Sequence, residues 1–175
     1  LQFPQSPKEE KLEAFIKDHN VWLRLGKGGE EVALTTDGEE GDGYQSNFQW
    51  SPDRKKLIGF RHKKAQERIV HFVESSPKDQ LQPKLHSNRY LKPGDQIAQT
   101  KPHLFDIVGK KEVPLDETLF ANPWNIGSYR WEKDSSRFTF YYNQRGHDVV
   151  RIVAIDAESG AVTALIDDPS QTFVN

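Results

Sequence analysis

An all-β chain, a fragment of a β-propeller, is the fold class this sequence predicts. Three observations carry the expectation: a turn-and-strand unit that occurs three times, strand-like runs in pairs after each copy, and no convincing helical period. The central copy is "WSPDRKKLIGF", Trp50 to Phe60. Moving back 45 positions sets Ser6-Pro7 under Ser51-Pro52, and Lys11, Leu12, Ala14 and Phe15 under Lys56, Leu57, Gly59 and Phe60. Moving forward 81 positions sets Trp131, Asp134, Arg137, Phe138 and Tyr141 under Trp50, Asp53, Lys56, Leu57 and Phe60. The unit reads as a hairpin: a strand ends on Trp, a polar turn reverses the chain, and a second strand alternates into a core. Pro52 lacks an N–H and suits the turn rather than a central strand.

Each element follows in order. "SPKEEKLEAFIKDH" has a composition that a helix would accept, but its repeat partner "LIGFR" holds a glycine, so it is read as a strand. "NVWLRL" and "VALTT" follow as strands around "GKGGEE". The "GKGG" at 26–29 lacks the frame and the Ser/Thr of a phosphate loop and joins two strands, so it is read as a hairpin turn. After the second copy "RIVHFVES" is a clear strand, while Lys84 to Asp116 is broken by Pro93, Pro102 and Pro114. That stretch reads as an insertion with one more strand at "HLFDIV" and Lys110-Lys111 at its turn. "NPW" at 122–124 reads as a turn with a packed ring. After the third copy come "VVRIVAID" and "AVTALID" around "AESG".

The expected division is part of a blade at 1–40, a blade at 41–120 with a long insertion at 84–120, and a blade at 121–175. That makes about two and a half four-stranded antiparallel blades, where a closed propeller has about 4–8. The chain is therefore read as a fragment whose open blade edges favour self-association.

Composition bounds the function. The 175 residues carry a formal net charge of −2, so no bulk field recruits nucleic acid or an acidic membrane. No apolar run approaches the roughly 20 residues of a membrane helix, so no membrane insertion is expected. There is no Cys, which removes disulfides, thiol nucleophiles and thiolate metal sites together. There is no Met either, and a chain that begins at Leu1 reads as a processed or excised piece. The 19 aromatic residues (Trp 4, Tyr 5, Phe 10) argue for an ordered core.

In their order, "LTTDG", "SPDRKKLIGF", "RYLKPGDQIAQTKPHLFDI", "FTFYYNQRGH" and "DAESG" resemble the N-terminal β-propeller of bacterial dipeptidyl peptidase IV-like serine peptidases, of the prolyl oligopeptidase clan. The resemblance covers nearly the whole chain. It implies a propeller that precedes an α/β-hydrolase domain, gates access to a cavity between the two and helps anchor a peptide substrate. It also implies an extracytoplasmic, periplasmic protein that can form homodimers. The catalytic Ser, Asp and His of such enzymes lie in the hydrolase. No Gly-x-Ser-x-Gly elbow occurs here, and neither Ser46 nor Ser128 has a strand-turn-helix context, so no catalytic residue is expected in this chain.

In the family an adjacent glutamate pair holds the free N-terminal ammonium of the substrate, eleven and ten positions before the Trp of the turn. Those positions are Glu39 and Glu40, and a cation leaving water requires fixed anions of this kind. The aromatic lead that precedes the pair in the family is missing, and "LTTDG" runs directly into the glutamates. In a four-stranded meander, links between blades and loops between second and third strands emerge on one face. Glu39-Glu40, Arg61-His62-Lys63-Lys64 and the run from Asn143 to His147 should share it. The six His lack ligand spacing, so neither a metal nor a cofactor is expected. The other reading of the same chain is an exported propeller scaffold that binds protein or glycan with no peptidase role.

Overall fold

The computed structural model describes residues 12–26 and 28–172. The first sheet contains β1 (Leu12–Lys17), β2 (Asn20–Leu25) and β3 (Glu31–Ala33), antiparallel in that order. The second contains β4 (Asp42–Trp50), β5 (Lys56–Lys63), β8 (Gln99–Asp106) and β9 (Lys111–Val113). Between β5 and β8 stands a separate hairpin of β6 (Ile69–Glu74) and β7 (Lys84–Arg89). A 3-10 turn, Glu117–Phe120, leads to the third sheet, β10 (Pro123–Trp131), β11 (Arg137–Gln144), β12 (Val149–Asp156) and β13 (Val162–Pro169). Consecutive antiparallel meanders of this kind are a partial β-propeller.

The predicted strand reading of the first segment holds over Leu12–Lys17, while Ser6-Pro7 lie outside the described residues. Asp18 and His19 both have positive φ (49° and 64°), the geometry of a type I′ turn, so β1 and β2 pair tightly from Lys17↔Asn20 to Leu12↔Leu25.

The 81-residue repeat is present bond for bond. Trp50↔Leu57 and Trp131↔Phe138 are equivalent pairs. The amides of Ser51 and Glu132 donate to the carbonyls of Lys56 and Arg137, and Arg54 and Ser135 donate back to Ser51 and Glu132. Arg54 and Ser135 both stand at positive φ (58° and 64°). The turn also reaches the sheet before it. Trp131 Nε1 donates to Gln49 O at 3.1 Å, Ser135 Oγ accepts from the Asp53 amide at 3.0 Å, and Arg54 donates to Leu12 O at 2.9 Å.

Alternation then fills two cores. Ile58, Phe60, Leu104, Phe120, Phe138, Phe140, Tyr142, Val153 and Ile155 pack between the second and third sheets. Val21, Leu23, Leu34, Tyr44, Leu57, Phe105 and Ile107 pack between the first and second. Each fully buried Phe or Leu contributes about 1.5–3 kcal/mol relative to exposure.

The long interruption expected at 84–120 lies instead at 64–98. "RIVHFVES" forms β6, which pairs only with β7, and the third strand of the sheet is β8, which takes in the first four residues of "HLFDIV". Pro102 does not break β8. It pairs with Phe60 on one side, and β9 covers only Leu104–Asp106 on the other, so an absent N–H there costs no ladder bond. The β6–β7 hairpin leaves Ile69, Phe72, Val73 and Leu85 exposed. Arg61, His62 and Lys63, expected in a loop, end β5, and Asn143 and Gln144 end β11, leaving 145–148 as the turn.

Candidate functional site

The link between the first and second sheets, residues 34–41, is fixed by one buried side chain. Asn20 Oδ1 accepts from Thr35 Oγ1 at 3.0 Å and from the Gly38 amide at 2.8 Å. Its Nδ2 donates to Asp18 O at 2.7 Å and Gly38 O at 3.3 Å. Gly38 is required here, since a Cβ would stand 2.2 Å from His19 O. The chain then closes a tight turn. Glu39 and Asp42 exchange both backbone hydrogen bonds at 3.0 Å, with Gly41 at φ 89°, the conformation that the third position of a type II turn demands.

Glu39 and Glu40 both project from this turn into solvent. The turn is fastened to the end of β5, because the Lys64 amide donates to Gly41 O at 2.7 Å. Arg61 ties the flanks together. Its Nε donates to Asp42 Oδ1 at 2.8 Å, its Nη2 to Asp37 O at 3.1 Å, and its Nη1 pairs with the Asp37 carboxylate. Lys63 adds a 3.2 Å ion pair to Asp42. Burial alone would raise the Asp42 carboxyl, but the hydrogen bonds from Arg61 and Lys63 outweigh it and hold the group below its ordinary value. Tyr44 behaves oppositely: burial, with the charges of Glu112 and Asp37, pushes its hydroxyl above the ordinary tyrosine range.

Beside this network lies a cavity of about 250 Å3 lined by Asp42, Arg61, Lys63, Lys101, His103 and Glu117 with Gln99. Lys101 pairs with Glu117 at 2.6 Å and His103 with Glu112 at 2.6 Å. Cations and anions there neutralise one another, so this groove braces the turn. Arg61, Lys63 and Lys101 are all engaged in ion pairs there.

The strand ends bring the expected loops to one side of the molecule. Gly41 meets Lys64 at one point, and Gln99 at the start of β8 donates to Asn122 Oδ1 at 2.9 Å. Asn122 O in turn accepts from the amide of Arg145 at 3.0 Å, so 39–41, 64 and 145–148 gather at one end. Ser46 and Ser128 lie inside β4 and β10. Among the described residues no group of three His, Cys, Asp or Glu side chains could hold a metal ion, and no helix is long and apolar enough to cross a membrane.

Sequence reasoning missed Asn20, Asp37 and the strand position of Arg61. Only "TTDG" hinted at a bonded link. The "NPW" ring is also not packed into a core: Pro123 is buried, but Trp124 is 54% exposed and stands edge-to-face with His147 at 5.1 Å.

Comparison with known proteins follows this geometry. The family model described as "Dipeptidyl peptidase IV (DPP IV) N-terminal region" matches residues 2–175. Among solved structures, dipeptidyl peptidase 4 from Porphyromonas gingivalis is similar at 16% identity and a TM-score of 0.66 over 93% of this chain and 25% of that one. A structure described as a dipeptidyl aminopeptidase IV from Bacteroides ovatus is similar at 14% identity and a TM-score of 0.56 over 99% of this chain and 30% of that one. The chain thus spans a quarter to under a third of the length of these relatives, whose likeness shows the fold. No curated protein sequence matches it.

Proposed function

The chain belongs to the family of the dipeptidyl peptidase IV N-terminal region, and from that premise we propose that it is the non-catalytic propeller portion of a dipeptidyl peptidase IV-like exopeptidase. It gates access to the reaction cavity, and Glu39 and Glu40 hold the free amine of the peptide substrate for a separate α/β-hydrolase domain. The observation that supports this most is the turn itself. Two adjacent carboxylates are exposed on a backbone fixed by Asn20, Arg61 and a doubly bonded reversal. A solvated acidic loop needs no such bracing. With the backbone already fixed, only the side-chain rotamers are ordered when the two carboxylates take a cation, which limits the entropy lost on binding.

The same reading includes a homodimer, supported by the exposed Ile69, Phe72, Val73 and Leu85 of the β6–β7 hairpin. It also includes a periplasmic location, supported by the resemblance and the bacterial sources of both structural neighbours. Fractionation of the source cell tests the location.

The deciding experiment is Glu39→Gln with Glu40→Gln in the full-length parent enzyme, assayed on dipeptidyl amides. The expected loss in kcat/KM is on the order of 100-fold or more, as for removal of charge-assisted contacts to a desolvated cation. Unchanged kinetics would leave the turn without a substrate role. A parent chain lacking a Gly-x-Ser-x-Gly elbow would favour the scaffold reading, a propeller that binds protein or glycan.

A further inference from the structure

At the same end of the molecule, between the second and third sheets, lies a cavity of about 320 Å3 of another character. None of its lining residues is Asp, Glu, Lys or Arg, in a chain in which 29% of residues are charged. One wall comes from the second sheet: Gln45 and Asn47 of β4, His62 of β5, and Ala98 and Thr100 around the start of β8. The other comes from β10, with Trp124, Asn125 and Tyr129. Trp124 is 54% exposed although Pro123 and Ile126 beside it are buried, so an indole is kept at the cavity and in reach of solvent.

The walls are held in place. His62 Nδ1 is engaged by Thr100 Oγ1 at 2.9 Å, and Tyr129 OH donates to Ile126 O at 3.3 Å. The Tyr129 ring packs on Phe60 at 4.5 Å. The pairing of β4 with β5 slips between Gln45 and Gln49, and that of β10 with β11 slips between Gly127 and Arg130, with Ser128 at φ 51°. Bulges re-aim side chains, and these two interrupt the regular alternation of both strands beside the cavity.

We propose that this cavity binds one ring of a neutral saccharide. A ligand here has to be uncharged, because an ion would lose hydration and meet no counter-charge on the walls. It also has to carry groups that both donate and accept, since the carboxamides of Gln45, Asn47 and Asn125 do both. Hydroxyls have the same double capacity, and a pyranose carries them around its rim. Its faces are C–H surfaces, which suit the flat apolar indole of Trp124. The volume stands at the small end of ligand cavities, about 300–1,000 Å3, and so matches a single ring. Further sugars of the same chain would leave past the exposed Trp124. The inference depends neither on Glu39 and Glu40 nor on the peptidase reading.

The test is calorimetric titration of the full-length parent protein with cellotetraose, maltotetraose and mannotetraose, with anionic tetragalacturonate, and with pentaalanine. At least one neutral tetrasaccharide should bind, with a Kd of about 1 mM or tighter. Trp124→Ala should weaken it about tenfold, Gln45→Leu about threefold or more, and Trp124→Phe, which keeps a ring, by less than Trp124→Ala. An unchanged urea midpoint shows that each variant is folded. Tetragalacturonate should bind at least about tenfold more weakly than the neutral chain. Binding by none of the three neutral chains overturns the proposal, as does an affinity that Trp124→Ala leaves unmoved. Tetragalacturonate binding as tightly as the neutral chains overturns it as well. If pentaalanine binds in a way that Trp124→Ala abolishes while no saccharide binds, the cavity is a peptide site and the proposal falls. Glu39→Gln with Glu40→Gln should leave saccharide affinity unchanged even where it slows peptide turnover, so the two readings stand or fall separately.

Discussion

Replacing Trp131 by Phe removes one N–H while leaving most of an aromatic ring, and so measures the bond that joins the second and third sheets. In the structure Trp131 Nε1 donates to Gln49 O at 3.1 Å, and the ring packs on Phe138 at 5.3 Å. A net hydrogen bond contributes about 0.5–1.5 kcal/mol, and a half-buried carbonyl left unpaired pushes the cost toward the upper end. The repeat supplies its own control. Trp50 holds the equivalent position in the second sheet, but offers its ring face to Arg54 at 4.2 Å, a contact that Phe retains in part. Both substitutions trade an indole for a phenyl ring, so their difference is the hydrogen bond, about 1 kcal/mol, less the part of the Arg54 contact that Trp50→Phe gives up. In urea, with a slope of about 2 kcal/mol/M, Trp131→Phe should unfold roughly 0.5 M earlier than Trp50→Phe. Equal midpoints would refute the argument that the repeated turn clasps one sheet to the next.

Two further outcomes follow from the site. Asn20→Ala deletes three bonds to the link carrying Glu39 and Glu40 and a fourth to Asp18 O in the turn before β2, and should cost about 2–4 kcal/mol. It should also speed hydrogen exchange at the Gly38 amide and, in the full-length enzyme, raise KM; unchanged exchange would show that the link is held by other means. The Asp42 carboxyl is depressed in the folded state relative to its ordinary 3.8. Between the two values the unfolded chain binds more protons, so this contribution is complete above about pH 4 and is lost as pH falls further. Denaturation midpoints at pH 6, 4 and 3 should decline with acid, and the decline should be shallower in Asp42→Asn; identical slopes would show that Arg61 and Lys63 do not stabilise the charged form.

The sequence by itself determined whatever depends on neighbours along the chain. The register of "WSPDRKKLIGF" on "WEKDSSRFTFY" marked the hairpin, its polar turn and the alternation that buries Phe60, Phe138 and Phe140. Local chemistry is enough there, because a turn type and a period of two specify which residues reverse and which face inward. The position of Glu39 and Glu40 in a link between sheets was legible from the strands read on either side of it, for the same reason.

Partner choice was decided by the tertiary structure. "RIVHFVES" alternates as a blade strand does, yet β6 pairs with β7 alone, and the blade is completed by β8 across a gap from Lys63 to Gln99. Alternation records that a strand has two faces and carries nothing about which edge it will join. Arg61 shows the same limit. In sequence it belongs to a run of cations, while in space its neighbours are Asp37 and Asp42, 24 and 19 positions away. The uncharged cavity around Trp124 is lined from β4, β5, β8 and β10, which meet only when two sheets pack, with bulges that a linear pattern does not mark. Contacts between distant segments are fixed by closing the chain on itself, and that is where the gathered loops, the braced turn and the cavity beside them came into being.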